Sequence, residues 1–254
     1  IKSVFLLVNH MLKRLIDLIF SLIGLLIISP VFIVFIIAIW MNDFHNPFYV
    51  AHRVGRNGKL FKMIKLRSMK IDADKSGIAS TSNEDDRITA VGHIIRKFKF
   101  DELSQLLNVF IGDMSLVGPR PQVEQDVKLY TEKEMGLLKI RPGITDFSSI
   151  VFSDEGNILK GSANPNLDYN QLIRPWKSRL GLFYINNRTF LLDIKLVYIT
   201  ILSIVSYNKA LRRINVILNN LSSPEKLIEI CRRHDDLIPY PPPGSDSIET
   251  LCKY

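Results

Sequence analysis

Leu15 to Trp40 reads LIDLIFSLIGLLIISPVFIVFIIAIW, 26 residues with Asp17 as their only charge. About 20 apolar helical residues cross a bilayer core, so this stretch is ample for one passage. A secretion signal has a core of only about 7–15 residues and a small-residue cleavage site, which is absent here, so a retained segment is expected. Ser29-Pro30 stands in the middle of the stretch. Proline has no N–H to give the helix and its ring presses on the preceding turn, so the helix should bend there. An ordinary kinked span would explain that much.

The flanking charges add a second constraint. Lys2, Lys13 and Arg14 precede the segment, and Arg53, Arg56, Lys59, Lys62, Lys65 and Arg67 follow it. Basic flanks favour the cytoplasmic side. A single crossing puts one of these flanks outside, whereas a helix that turns back at Ser29-Pro30 keeps both inside. The residues alone leave the kinked span and the re-entrant hairpin both open.

Around this segment the chain is of ordinary composition: 254 residues, 47% hydrophobic, 23% charged, with a net charge of +8. That length suffices for one domain with a real core. The charge points to anionic partners: nucleic acid, acidic headgroups or phosphorylated small molecules. No reading helix or aromatic stacking platform supports nucleic acid, and none is expected as a partner. Cys231 and Cys252 lack metal-type spacing and fit a reducing compartment.

Past Trp40, Val50–Met69 mixes short apolar runs with Gly55 and Gly58 and predicts strand, turn, strand. The turn Gly55-Arg56-Asn57-Gly58-Lys59 lacks Walker A spacing. Ile71–Arg87, with Gly77 and Glu84-Asp85-Asp86, reads as a solvated loop. Leu103, Leu106, Leu107 and Phe110 mark an amphipathic helix. Gln122–Leu138 can be helical, closed by Arg141-Pro142-Gly143, and Asn157–Asp168 reads as loop. Leu191–Tyr207 is apolar but short for a span and suits the membrane interface. After Lys209 a short helical pattern runs to Arg233, and the proline-rich 239–244 forbids regular structure.

Asp101-Glu102 is the candidate for chemistry. The pair opens a helix, where Asp as a cap and Glu in the first turn have a purely structural use. Their surroundings argue for more. Arg96, Lys97 and Lys99 come just before, and Arg120 follows in the loop Gly118-Pro119-Arg120-Pro121. Arginine offers a planar donor fork to phosphate, and flanking prolines lower the entropy lost in holding it. A carboxylate nucleophile attacking phosphorus needs its target's charge neutralised, and Mg²⁺ is typically held by one or two carboxylates plus substrate phosphates. Adjacent helical residues diverge by about 100°, so the two carboxylates should take different roles.

With these motifs the chain resembles the bacterial sugar transferases, specifically the monotopic polyprenyl-phosphate phosphoglycosyl transferases. The resemblance rests on Lys13-Arg14-Leu15-Ile16-Asp17, Ser29-Pro30, Lys65-Leu66-Arg67-Ser68-Met69 and the run from Phe100 to Pro121. Arg141-Pro142-Gly143-Ile144-Thr145 and Leu192-Asp193-Ile194-Lys195 complete it. It implies that Asp101 is the nucleophile forming a phosphosugar-enzyme intermediate with release of UMP, and that Glu102 holds Mg²⁺. Arg96 and Arg120, between Pro119 and Pro121, would bind phosphate or nucleotide, with Lys65 and Asp193 in support. Ser29-Pro30 would break a re-entrant helix. The substrates would be a UDP-sugar and polyprenyl (undecaprenyl) phosphate, at the cytoplasmic face of a bacterial inner membrane; a homodimer is left open.

The chain also departs from the family pattern. Ser104 and Leu107 stand where relatives often have proline and tryptophan. Asp146-Phe147-Ser148-Ser149 replaces a common Gly-Leu-Ala-Gln, and a following Gly-Arg-Asn is missing its basic residue. These differences bear on sugar recognition rather than on the core chemistry.

The expected fold is mixed α/β, mostly helical with a small sheet, anchored by the re-entrant helix and by interfacial amphipathic helices. The expected organisation is a basic flank at 1–14, a membrane helix at 15–40, a catalytic domain at 41–208 and an extension at 209–254. Rival readings are a membrane lipid phosphatase or pyrophosphatase, and a non-enzymatic membrane scaffold, which leaves Asp101-Glu102 beside Arg96 and Arg120 without a purpose.

Overall fold

The computed structural model describes residues 2–73 and 85–250, with side chains from residue 11 onward. Gly77, Glu84 and Cys252 lie outside the described residues. The first helix, α1, runs Lys2–Asp43 with Pro30 inside it. The stretch Met11–Asp43 is long and apolar enough to cross a membrane and is almost entirely unburied by the rest of the chain. Pro30 cannot serve the carbonyl of Leu26, one turn back, and the Ser29 hydroxyl donates to that carbonyl at 2.8 Å instead.

Strands β1 (Phe48–Val54) and β2 (Leu60–Leu66) form the expected antiparallel hairpin, Phe48 opposite Leu66 and Val54 opposite Leu60. Asn57, at φ 58°, takes the left-handed conformation that the tight turn demands. Three helices follow: α2 (Ala90–Lys97), α3 (Phe100–Leu103) and α4 (Gln105–Ile111). The predicted amphipathic helix is thus α3 and α4 in succession. Strands β3 (Ser115–Val117) and β4 (Gly143–Thr145) pair in parallel, separated by the short α5 (Glu124–Val127) and a 3₁₀ turn at Glu134–Lys139. The long helix expected over Gln122–Leu138 is therefore broken. Around the break, Thr131 and Glu134 cap each other, Thr131 N–H to Glu134 Oε2 at 2.9 Å and Glu134 N–H to Thr131 Oγ1 at 3.2 Å.

The remaining chain is helical: α6 (Phe147–Val151), α7 (Glu155–Ile158), α8 (Pro165–Asp168), a π-turn at Tyr169–Ile173, α9 (Arg174–Asn187), α10 (Phe190–Val205), α11 (Tyr207–Asn220) and α12 (Glu225–Arg232). Asn157–Asp168, expected as loop, carries two one-turn helices; Asn164 caps the second through Leu167 N–H.

One main core joins Phe147 and Ile150 of α6, Trp176 and Leu180 of α9, Leu196 of α10, Ile214 and Leu218 of α11, and Leu227 of α12. The segment after Lys209 therefore shares this core instead of forming an appendage. Even its proline-rich end is fastened: Tyr240 stacks on Trp176 at 4.4 Å, and Arg179 donates to the Pro241 carbonyl at 2.8 Å. A separate small core sets the C-terminal half of α1 on the hairpin and α2, through Ile39, Leu66 and Ile95, with Phe35 against Phe100 at 4.9 Å.

Candidate active site

The Lys13–Asp17 signature fastens α1 to the domain. Lys13 ion-pairs with Asp193, and Arg14 donates to the carbonyls of Val109 (2.5 Å) and Phe110 (2.8 Å) near the end of α4. Buried Asp17 accepts from the Ser115 hydroxyl at 3.1 Å and the Leu116 N–H at 3.0 Å. At the other end of α1, Arg67 forms two 2.6 Å bonds to the Asp43 carboxylate. Both ends of the apolar helix are thus held by the same domain.

Two glycines set the loop that carries Arg120. A Cβ on Gly118 would stand 2.6 Å from the Arg141 carbonyl, and one on Gly143 would stand 2.0 Å from Gly118 N. Only glycine permits that approach. It lets Gly118 N–H bond to Thr145 O at 2.9 Å and Gly143 N–H to Pro119 O at 3.0 Å. The Gly-Pro-Arg-Pro and Arg-Pro-Gly motifs, more than twenty residues apart in the chain, are one structural unit whose product is the position of Arg120.

A similar contact brings up Arg96. A Cβ on Gly92 would lie 1.9 Å from the Ser68 carbonyl, so α2 sits directly against the end of β2, and Arg96 Nε bonds Ser68 Oγ at 2.9 Å. Lys99, at φ 56°, makes the sharp bend into α3 that presents Asp101 and Glu102. Ser104 shares its hydroxyl between the carbonyls of Asp101 (2.7 Å) and Ile64 (2.9 Å). Asn108 takes the Ile64 N–H on its Oδ1 at 2.9 Å and gives its Nδ2 to Lys62 O at 2.7 Å. These bonds lock α3 and α4 against β2, the strand bearing Lys65.

The result is a cavity of about 440 Å³ into which Lys65, Arg96, Asp101, Glu102, Arg120 and Pro121 all face. Arg120 Nη2 donates to Glu102 Oε1 at 2.6 Å. The Asp101 carboxylate makes no hydrogen bond among the described residues. Burial, and then the neighbouring Glu102, raise the Asp101 pKa above its ordinary value, against Lys65, Arg96 and Arg120. Burial also acts to raise Glu102, but Arg120 and Lys65 outweigh it and hold Glu102 down at about 2. The Lys65 ammonium is lowered by burial and then by Arg120. The two carboxylates are therefore divided in character: one permanently charged and paired, the other unpaired and more basic.

Two sequence expectations move. Asp193 does not line the cavity; it holds Lys13 and accepts from the Tyr184 hydroxyl at 2.6 Å, so its support is to the placing of α1 and α9. Pro119 lines smaller clefts beside the cavity and serves through the backbone bond to Gly143. Other cavity residues carried no local signal in the sequence: Arg53, Asn166, Tyr169 and Lys177 arrive from distant elements. Asp146, in the stretch that departs from the family pattern, is buried and caps α6 through Ser149 N–H at 2.7 Å, which sets Ser149 on the cavity wall.

Mg²⁺ fits this donor set under one condition. Among the described residues no cluster of three or more His, Cys, Asp or Glu side chains could hold a metal. The remaining oxygen of Glu102 offers a hard, anionic ligand that needs further oxygens from a bound phosphate and water.

Comparison with known proteins agrees with these motifs. The family described as bacterial sugar transferase matches residues 8–207. A putative undecaprenyl-phosphate N-acetylgalactosaminyl 1-phosphate transferase of Bacillus subtilis strain 168 is 50% identical over 111 residues, covering 44% of this chain and 62% of the relative. The UDP-glucose:undecaprenyl-phosphate glucose-1-phosphate transferase of Escherichia coli strain K12 is 31% identical over 197 residues, 76% of this chain and 40% of the relative. The exopolysaccharide production protein PSS of Rhizobium leguminosarum bv. phaseoli is 33% identical over 214 residues, 78% of this chain and 97% of the relative. The chain thus spans less than two thirds of the first two and nearly all of the third. With the family matched over residues 8–207, the chain belongs to the bacterial sugar transferase family.

Proposed function

We propose that this protein transfers a sugar 1-phosphate from a UDP-sugar to a polyprenyl phosphate, as the opening step of a glycan pathway. The observation that carries the reading is the Asp101 carboxylate, half-buried and with no hydrogen bond among the described residues, in a cavity shared with Lys65, Arg96 and Arg120. An unpaired carboxylate beside three cations is poorly explained by a structural role, and well suited to attack on a diphosphate whose charge those cations offset. The names of the Bacillus and Escherichia relatives both carry undecaprenyl phosphate as acceptor, and the Escherichia name carries a UDP-sugar donor.

The chemistry balances in two displacements. Asp101 Oδ attacks the phosphorus bonded to the sugar; the Asp–phosphorus bond forms, the bond to the bridging oxygen breaks, and UMP leaves. A phosphate oxygen of the polyprenyl phosphate then attacks the same phosphorus, releasing Asp101 and giving polyprenyl-diphosphate-sugar. Arg120 and Lys65 neutralise phosphate oxygens, and Arg96, steadied by Ser68, does the same from α2. Glu102 would hold Mg²⁺ together with the diphosphate, and the ion would offset charge building on the departing UMP.

The acceptor's phosphate lies at headgroup level, so the cavity must sit at a membrane. Two features support a monotopic seat on the cytoplasmic face. At about 1.5 Å per residue, Asp17 and Asp43 of a straight helix stand roughly 40 Å apart, more than a bilayer core. A crossing would leave one of them beyond the bilayer from a charged domain that both ends touch. Second, α10 buries Leu192, Leu196 and Ile199 but exposes Leu191, Ile194, Tyr198, Ile201 and Val205, an apolar face fit for the interface. The first feature supports a re-entrant α1 reversing near Ser29-Pro30; in the structure α1 is one helix, Lys2–Asp43, with Pro30 inside it.

Labelled UDP-sugars screened with undecaprenyl phosphate test the transfer. UMP and a lipid-linked diphosphate sugar are expected; release of inorganic phosphate from the lipid would support the phosphatase reading instead, and membrane binding without either product the scaffold.

A further inference from the structure

The cavity is divided by charge. Around Asp101 and Glu102 it is lined by Arg53, Lys65, Arg96, Lys99 and Arg120, an anion-binding half. The part lined by residues 149–177 is of another kind: Ser149, Ser153, Asn166 and Tyr169, with Glu155 and Lys177 as its charged side chains. Those two cancel as an ion pair, and the Lys177 ammonium also lies 5.3 Å over the Tyr169 ring. Apart from Asp126, which also lines the cavity and whose charge acts on Tyr169, the second half is thus electrically balanced and rich in donors and acceptors.

On the transfer reading above, the donor has a charged diphosphate centre and two uncharged polar ends, a nucleoside and a sugar. The phosphorus that Asp101 attacks is the one bonded to the sugar, so the sugar is the end held closest to Asp101 and Arg120. Glu155 lies close enough to Arg120 that its charge, after that of Glu102, adds to the forces keeping the guanidinium protonated. Glu155 and Arg120 line the same cavity, so this half opens onto the site where the sugar's own phosphate must lie.

We propose that the Glu155–Lys177 pair, beside Tyr169, reads the hydroxyl pattern of the transferred sugar. The Glu155 carboxylate accepts from ring hydroxyls, Lys177 donates to an oxygen of the sugar or its N-acyl group, and the Tyr169 ring packs on the sugar's C–H face. The pair is suited to this because neither partner is saturated: Lys177 has three donors and Glu155 four lone-pair directions, and a single contact uses one of each. A site whose polar groups must be paired penalises the epimer that leaves one unpaired. Lys177, 10% exposed, is the enclosed member of the pair, and Glu155, 36% exposed, is the member a bound sugar would cover. The inference rests on the transfer reading.

The test compares the parent with Glu155→Gln and Glu155→Asp on UDP-sugars that differ at one hydroxyl or in N-acetylation, with UMP product inhibition measured beside them. Turnover by the parent reports on the transfer reading, and the ratio of variant to parent preference reports on this inference. Glu155→Gln should cut the kcat/KM preference for the best donor over its epimer by about tenfold or more, the size of one well-placed hydrogen bond. UMP inhibition should stay within about twofold of the parent. Glu155→Asp keeps the charge pair while shortening its reach, so it should keep the parent's melting temperature and still lose discrimination. An unchanged preference in both variants would overturn the proposal. So would an equal loss on every donor matched by weaker UMP inhibition, because the pair would then hold the nucleotide.

Discussion

Arg120 donates to one oxygen of Glu102 at 2.6 Å and leaves the other without a hydrogen bond among the described residues. Glu102 is therefore half committed, and its one free oxygen is too few to hold Mg²⁺ alone. The expected outcome by calorimetry on an Asp101→Asn background, which prevents turnover, is no tight Mg²⁺ binding to the free protein and clear binding once a UDP-sugar is added. Glu102→Gln in otherwise native protein should weaken the metal dependence along with the rate. Normal turnover with an unchanged Mg²⁺ titration in that variant would remove Glu102 from the metal.

The pH dependence follows from the divided carboxylates. Asp101 must be ionised to attack, and burial with Glu102 raises its pKa, so adduct formation should fail at a higher pH than an ordinary aspartate would require. Lys65 opposes that rise. Lys65→Met should move the acid limb of single-turnover UMP release to higher pH, and Glu102→Gln should move it lower. Two variants with the parent's acid limb would mean that another group sets it.

The membrane helix offers a topological test. The Ser29 hydroxyl satisfies the Leu26 carbonyl that Pro30 cannot reach, so the pair relieves the cost of a bend at that point. Replacing Ser29-Pro30 by Ala-Leu should restore a continuous span and expose the N-terminus outside, or cause misinsertion, with loss of activity. Single cysteines near residues 3 and 45, with Cys231 and Cys252 replaced, can be probed by an impermeant thiol reagent on intact cells. In the parent neither should label until cells are opened. External labelling near residue 3 in the parent would contradict the re-entrant arrangement.

Much of the site could be read directly because its residues are close in the chain. Asp101, Glu102 and Arg96 lie within one helical hairpin, and Arg120 is announced by its glycine and prolines. The β1–β2 hairpin was equally plain, its turn marked by Gly55 and Gly58. Asp193, given by the family motif as support for the site, has its partners Lys13 and Tyr184 180 and 9 residues away, which local spacing does not show. The second half of the cavity was hidden for the same reason. Asn166, Tyr169 and Lys177 sit on three successive elements, α8, the π-turn and α9, whose approach to Asp101 depends on the fit of α9 into the core. Nor could the pattern after Lys209 reveal that Ile214 and Leu218 complete that core, since an amphipathic helix looks alike whether its partner is its own domain or another surface.

The central claim is that one carboxylate carries the phosphosugar. The most direct measurement is the intact mass of the protein after incubation with its UDP-sugar and Mg²⁺, without lipid acceptor. The parent should gain the mass of one phosphosugar and release one equivalent of UMP, and polyprenyl phosphate should discharge the adduct. Asp101→Asn should fold with an unchanged melting temperature, gain no mass and turn over nothing. A phosphosugar adduct that still forms on the Asn variant would contradict the account.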